Sequence, residues 1–116
     1  MARLGDLERA VMELLWAAQR PLSAVDVVTA LPGRELAVTT VLTVLDRLRR
    51  KEMVTRQRAG RAYRYTPTST REQLVAETMV EALGGSDDRS AALARFIESV
   101  SEDDAEILRK ALRRHR

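Results

Sequence analysis

A mainly α-helical fold with one small β-hairpin is predicted by this 116-residue sequence, and three observations predict it. Apolar residues make up 45% of the chain while aromatics make up only 3%, so the core is aliphatic and built from helices. Helix-start signatures punctuate the chain at Ser23, Ser69 and Ser101, each with an acid three residues on. One segment, residues 54–66, departs from helical spacing: it is rich in Val, Thr and Tyr and turns at Gly60.

The first helix starts near Asp6, with Leu7, Val11, Leu14 and Ala18 on one face. Met12, Leu15 and Trp16 widen that arc, which makes Trp16 a core residue. Ser23 with Asp26 caps a short second helix that runs to about Leu31, and Pro32 with Gly33 breaks the chain after it. The third helix spans about 37–51, with Val38, Val41, Leu45 and Leu48 as its apolar stripe and Thr39, Thr40, Thr43 and Arg47 on the remaining surface. Strands at 54–59 and 62–66 follow. Tyr63 and Tyr65 share a strand face and are assigned to packing, Arg64 points the other way, and Arg61 stands beside the turn.

Beyond Pro67 only helices are expected. Ser69 and Glu72 form a capping box for a fourth helix to about Leu83, which Gly84 and Gly85 stop. A fifth covers about 87–99 with Leu93, Phe96, Ile97 and Val100 as its stripe. A sixth follows Ser101 and carries Ala105, Leu108 and Leu112. None of these three can bury its apolar face alone, and a second copy of the chain is the simplest cover.

Charge is unevenly placed. Residues 1–68 hold 12 basic and 7 acidic groups, whereas residues 69–116 hold 8 and 10. Eight Lys/Arg between Arg47 and Arg64 stand against the single acid Glu52, a net +7 over 18 residues. Such density suits a phosphate backbone. The threonines point the same way: a merely solvated helix face would carry Glu, Lys and Gln, because β-branched Thr loses rotamer freedom there. Their hydroxyls suit phosphate oxygens and their methyls suit thymine. Helix, short helix, third helix and two-stranded wing together make a winged helix-turn-helix. Its expected DNA-binding residues are Thr39, Thr40, Thr43, Arg47, Arg50, Lys51 and Arg61.

For catalysis the sequence offers little. There is no cysteine, and His115 is the only histidine. A disulfide framework, a thiol nucleophile, a zinc-cysteine cluster, a histidine triad and a multi-histidine metal site within one chain are therefore excluded. The acids at 87–88 and 102–106 sit at helix starts, where they favour the dipole. No catalytic residue, metal site or cofactor is expected. The first residues lack an apolar signal core, and no stretch approaches the roughly 18 apolar residues of a membrane span. The expectation is a soluble cytoplasmic protein without stable membrane association.

The segments LGDLERAVMELLW, TTVLTVLDRLRRKEMV, RAYRYTP and ALARFIESV, in this order, resemble the BlaI/MecI/CopY family of bacterial repressors, also called penicillinase repressors. The resemblance spans nearly the whole chain. It implies a winged helix domain over 1–68 and a helical dimerisation domain over 69–116. It also implies a homodimer that sits on a palindromic operator in double-stranded DNA and blocks a promoter. The expected dimerisation residues are Leu74, Met79, Leu83, Leu93, Phe96, Ile97, Val100, Leu108 and Leu112.

In the β-lactam-responsive members a membrane sensor metallopeptidase triggers cleavage in the dimerisation segment. The matching bond is Arg95-Phe96, where the best-known members carry Asn before the Phe. Copper-responsive members carry a cysteine-rich tail that this chain lacks. The alternative reading is a winged-helix protein-interaction module that docks an acidic partner on its basic face. Against it stands the threonine-rich helix face, since an interface core prefers Tyr, Trp, Met or Leu.

Overall fold

The computed structural model describes residues 4–32 and 35–115, which leaves Gly33 of the expected chain break outside the described residues. The elements run α1 (Asp6–Ala18), β1 (Leu22–Ser23), α2 (Ala24–Ala30), α3 (Val38–Arg50), β2 (Val54–Ala59), β3 (Ala62–Pro67), α4 (Arg71–Gly84), α5 (Arg89–Ser99) and α6 (Glu102–Arg114). The chain divides into two compact units after Val75.

The first unit is built on an aliphatic core in which Val11, Met12 and Leu15 of α1, Val27 of α2, and Val41, Leu45 and Leu48 of α3 are all but sealed from solvent. The buried face of α1 is centred on Val11, Met12 and Leu15. The expected Leu7, Leu14 and Ala18 lie half-buried at its margin. The inner stripe of α3 also differs from the expected one. Val44 is buried, whereas Val38, the first residue of the helix, is exposed. The physical reason is that α3 packs on both α1 and α2, which widens its buried arc beyond a single stripe.

The wing is part of a three-stranded antiparallel sheet of order β1-β3-β2. The two-residue strand β1 pairs Leu22 with Tyr65 and Ser23 with Arg64. It was not expected from the sequence, because two residues are too few to show a period of two. Tyr65 is buried in the core and Tyr63 is half-buried against it, as their shared strand face requires.

Local hydrogen bonds set the helix ends. Ser23 and Asp26 form a reciprocal capping box on α2, with bonds of 3.1 and 3.0 Å. The Ser23 backbone N–H, with Arg20 and Arg64 nearby, holds the Asp26 carboxyl below its ordinary value. At the end of α3 the Met53 N–H donates to the Leu48 carbonyl at 2.9 Å and the Glu52 N–H to that of Arg49 at 3.0 Å. This is a Schellman stop with buried Met53 and Leu48 as its apolar contact. Glu52 occupies its left-handed position with φ 62°, where glycine is the usual residue.

A capping box opens α4 too, one residue later than expected. The Thr70 N–H donates to Gln73 Oε1 at 2.7 Å and the Gln73 N–H to Thr70 Oγ1 at 3.1 Å. Ser69 is kept outside the helix because its carbonyl accepts the Trp16 indole N–H at 2.9 Å. Arg71 pairs with Glu13, and Leu74 is buried in the core. These ties hold the start of α4 in the first unit, so the division falls after Val75 where the sequence suggested Thr68.

One acid is buried. Glu8 accepts the Gly5 N–H at 2.8 Å and the Lys51 ammonium at 2.9 Å on both oxygens. Burial alone would raise its carboxyl. The Gly5 N–H, Lys51 and Arg47 together outweigh that and hold it below its ordinary value.

The second unit, residues 76–116, holds the rest of α4 with α5 and α6. The Asp88 carboxylate accepts the Ala91 N–H at 3.0 Å, so Asp88 serves as cap and α5 begins at Arg89. The Ser101 hydroxyl caps α6 by accepting the Asp104 N–H at 3.1 Å. Neither α5 nor α6 buries a residue.

Two stability predictions follow from these ends and pairs. A carboxyl with a depressed folded-state pKa stabilises above its unfolded value, near 4.5, and the gain is lost as pH falls through the folded value. Glu8→Gln is therefore expected to flatten the fall in melting temperature between about pH 6 and about pH 3. At neutral pH it should lower stability by up to about 3 kcal/mol. An acid limb as steep in the variant as in the wild type counts against this assignment. Glu52→Gly is expected to raise stability by about 1 kcal/mol by relieving the left-handed backbone, measured by urea denaturation; no gain would mean the strain is absent.

Candidate nucleic-acid interface

With its inner face buried, α3 presents Thr39, Thr40, Thr43 and Arg47 outward, all exposed. The Thr43 hydroxyl donates to the Thr39 carbonyl at 3.0 Å, which fixes its rotamer and leaves its methyl free for contact. Val38 and Leu42 are also exposed, at 38% and 42%. They stand one helical turn apart, next to Thr39 and Thr43, and add an apolar component that suits thymine methyls. The apolar period of α3 assigns Val38 to the core stripe and gives Leu42 no place, so neither is singled out from the sequence. The signal was available in their place one turn apart, off the final buried stripe.

The C-terminal turn of α3 concentrates cations. Arg50 pairs with Asp46 at 3.1 Å and Arg49 with the same carboxylate at 3.4 Å. The Arg50 side chain remains 77% exposed, so this surface pair constrains it weakly and it stays available to a phosphate. Lys51 is different. Its ammonium lies on the buried Glu8 carboxylate at 2.9 Å, so this expected DNA-binding residue is engaged in an internal ion pair. The reason is energetic, since withdrawing Lys51 would strand a buried charge.

In the wing, Gly60 with φ 67° and Arg61 make a two-residue turn between Ala59 and Ala62, a place that demands a residue tolerant of positive φ. Arg61 is exposed. Arg56 and Arg58 lie over the Tyr63 ring at 3.9 and 5.7 Å from its centroid. Both belong to the basic run of residues 47–64, whose composition alone does not distinguish them.

The second unit has an apolar surface. Met79, Leu93, Phe96, Ile97 and Leu112 are exposed, and Leu83, Val100 and Leu108 are half-buried. Met79, Leu83, Leu93 and Phe96 line an open apolar groove of about 410 Å³ together with Val80, Ala82 and Ala92. Leu74 is the exception among the expected dimerisation residues: the first unit's core takes it up, so it is corrected to a core residue. Val80 and Ile107, at 70% and 64% exposed, belong to the open apolar surface and were missed. The Arg95-Phe96 bond lies inside α5, with both residues exposed.

Among the described residues no group of three or more histidines or carboxylates is placed to hold a metal, and no helix is long and apolar enough to cross a membrane.

The sequence profile of the penicillinase repressor family matches residues 4–114. Two relatives from Mycobacterium tuberculosis, strains CDC 1551 and H37Rv, both named transcriptional regulator BlaI, are 49% identical over 97% of this chain and 84% of their own length. Among solved structures, a mutant of S. aureus MepR matches 96% of this chain and 76% of its own with a TM-score of 0.55 at 19% identity. A MarR family protein from Bacillus stearothermophilus matches 97% and 73% with a TM-score of 0.53, also at 19% identity. These two share the fold, a winged helix with appended helices. With a family match from end to end and close relatives over nearly its whole length, the chain belongs to the penicillinase repressor (BlaI/MecI/CopY) family of transcriptional repressors, DNA-binding proteins and not enzymes.

Proposed function

We propose that the protein is a dimeric repressor that lays α3 in the major groove of each half of a palindromic operator, sets its wing on the flanking phosphates, and blocks a promoter. The observation that carries this reading is the division of α3 into a buried aliphatic face and an exposed face of Thr39, Thr40, Thr43 and Arg47. Arg50 and Arg61 add phosphate contacts. The apolar surface of the second unit, with Met79, Leu93, Phe96, Ile97 and Leu112, supports a second copy as its cover. The unit buries too little by itself to hold three amphipathic helices.

Two half-sites joined in one dimer make the second contact intramolecular, which raises avidity by roughly 10² to 10⁴ over a single unit. Any signal that separates the dimer releases DNA without touching α3. One such signal is proteolysis at Arg95-Phe96 by a membrane sensor metallopeptidase, a partner implied by the family. A cut there would detach Phe96, Ile97 and all of α6 from the apolar surface. The bond lies inside a folded helix, so a protease must first open α5.

The test of the DNA-binding reading is fluorescence anisotropy with the protein's own upstream DNA against a scrambled duplex, across a salt series. Thr40→Ala with Arg47→Ala is expected to weaken promoter binding by about tenfold to a hundredfold and to lower the salt slope by about 1. Binding to neither duplex at low salt would favour the protein-interaction module. For the dimer, Leu93→Glu or Phe96→Glu is expected to give a monomer in sedimentation and a loss of affinity of roughly 10² to 10⁴, with the first unit's thermal transition kept. Unfolding of the first unit in these variants would refute the separation of roles.

A further inference from the structure

The wing orders more cation than its turn displays. In the hairpin register Arg58 stands opposite Tyr63 and Arg56 opposite Tyr65, so Arg56, Arg58 and Tyr63 share one face of the sheet. The Arg56 guanidinium lies 3.9 Å from the Tyr63 centroid and that of Arg58 5.7 Å, both within the roughly 6 Å reach of cation–π attraction. Arg58 is held a second time by its Nε–H, which donates to the Gly60 carbonyl at 3.3 Å. The ring is itself fixed, since Tyr63 is half-buried and packs on the core.

Stacking uses the flat face of a guanidinium and leaves its in-plane N–H donors unspent, apart from the Arg58 Nε–H given to Gly60. Neither arginine is paired with a carboxylate among the described residues. Free arginine carries one of the largest side-chain entropies, and ordering it in advance lowers the cost of binding.

We infer that Tyr63 is a positioning residue for DNA binding: its ring pre-orders Arg56 and Arg58 as phosphate contacts on the wing. The inference rests on the DNA-binding reading above and adds two contacts and their support to it.

The full chain is titrated with a mixed-sequence duplex of about 30 base pairs at low ionic strength, because phosphate contacts do not depend on sequence. Arg56→Gln and Arg58→Gln are each expected to lower the slope of log K against log salt by about 0.9. Tyr63→Leu keeps an apolar side chain on the core and both cations in place, and is expected to weaken binding about threefold to tenfold. Tyr63→Phe keeps the ring and should bind as the wild type does. In the Arg56→Gln/Arg58→Gln background, Tyr63→Leu should have no further effect. The inference is overturned by an equal loss in that background, by a Phe variant as weak as the Leu variant, or by wild-type affinity in the Leu variant. A salt slope unmoved by the arginine substitutions also overturns it, whether or not Tyr63→Leu folds. Failure of the wild type to bind any duplex would remove the DNA-binding reading itself and this inference with it.

Discussion

The burial of one aliphatic face of α3 is the constraint on which the first unit depends. Val41, Val44, Leu45 and Leu48 meet Val11, Met12 and Leu15 with almost no exposure, and interiors packed this closely tolerate little rotation of a helix about its axis. Once those four side chains point inward, the 3.6-residue period leaves Thr39, Thr40, Thr43 and Arg47 no place except the surface. The exposed threonine face is thus a by-product of the core. Its orientation comes from aliphatic packing, and the Thr43 hydroxyl bond to the Thr39 carbonyl adds a local constraint.

Electrostatics works against that core and is managed locally. The turn that ends α3 carries Arg47, Arg49, Arg50 and Lys51, a density that favours the helix dipole but repels itself. Glu8 brings one negative charge from α1 under this cluster, where it engages Lys51 directly and feels Arg47. Asp46 does the same at the surface for Arg49 and Arg50. The buried pair also joins the start of α1 to the end of α3, residues 43 positions apart in the chain. A charged group that reads as DNA-binding by composition is thereby part of the scaffold.

The two units use apolar residues in opposite ways. In the first, aliphatics converge from three helices and a sheet, and Trp16 and Glu13 extend the core by tying down the start of α4. In the second, α5 and α6 bury none of their residues, although Leu93, Phe96, Ile97, Ile107 and Leu112 are large and apolar. An exposed set of that size is uncommon on a monomeric surface. The contrast leaves the first unit with a closed core and the second with an open apolar surface, which suits the dimer proposed above.

Much of the fold was readable because it rests on local physics. Helix starts at Ser23 and Ser101 follow from a side-chain oxygen three residues from an acid, and the hairpin follows from strand formers about a glycine. The outward threonines follow from period alone. What required the folded chain was every choice between equivalent local options. Ser69 and Thr70 both offered a capping frame, and the Trp16 indole decided between them by taking the Ser69 carbonyl. Val38 and Val44 both fitted the α3 stripe, and packing on two helices chose Val44. Lys51 and Arg50 were equally basic, and the position of Glu8 separated them. Leu74 was expected among the dimerisation residues, and the first unit's core claimed it. The sequence by itself determined the order of the helices and of the hairpin, without β1, together with the charge of the α3 end and wing, and the family. Tertiary structure decided which of two near-identical neighbours is buried, paired or free, because that depends on partners distant in the chain whose approach no local pattern encodes.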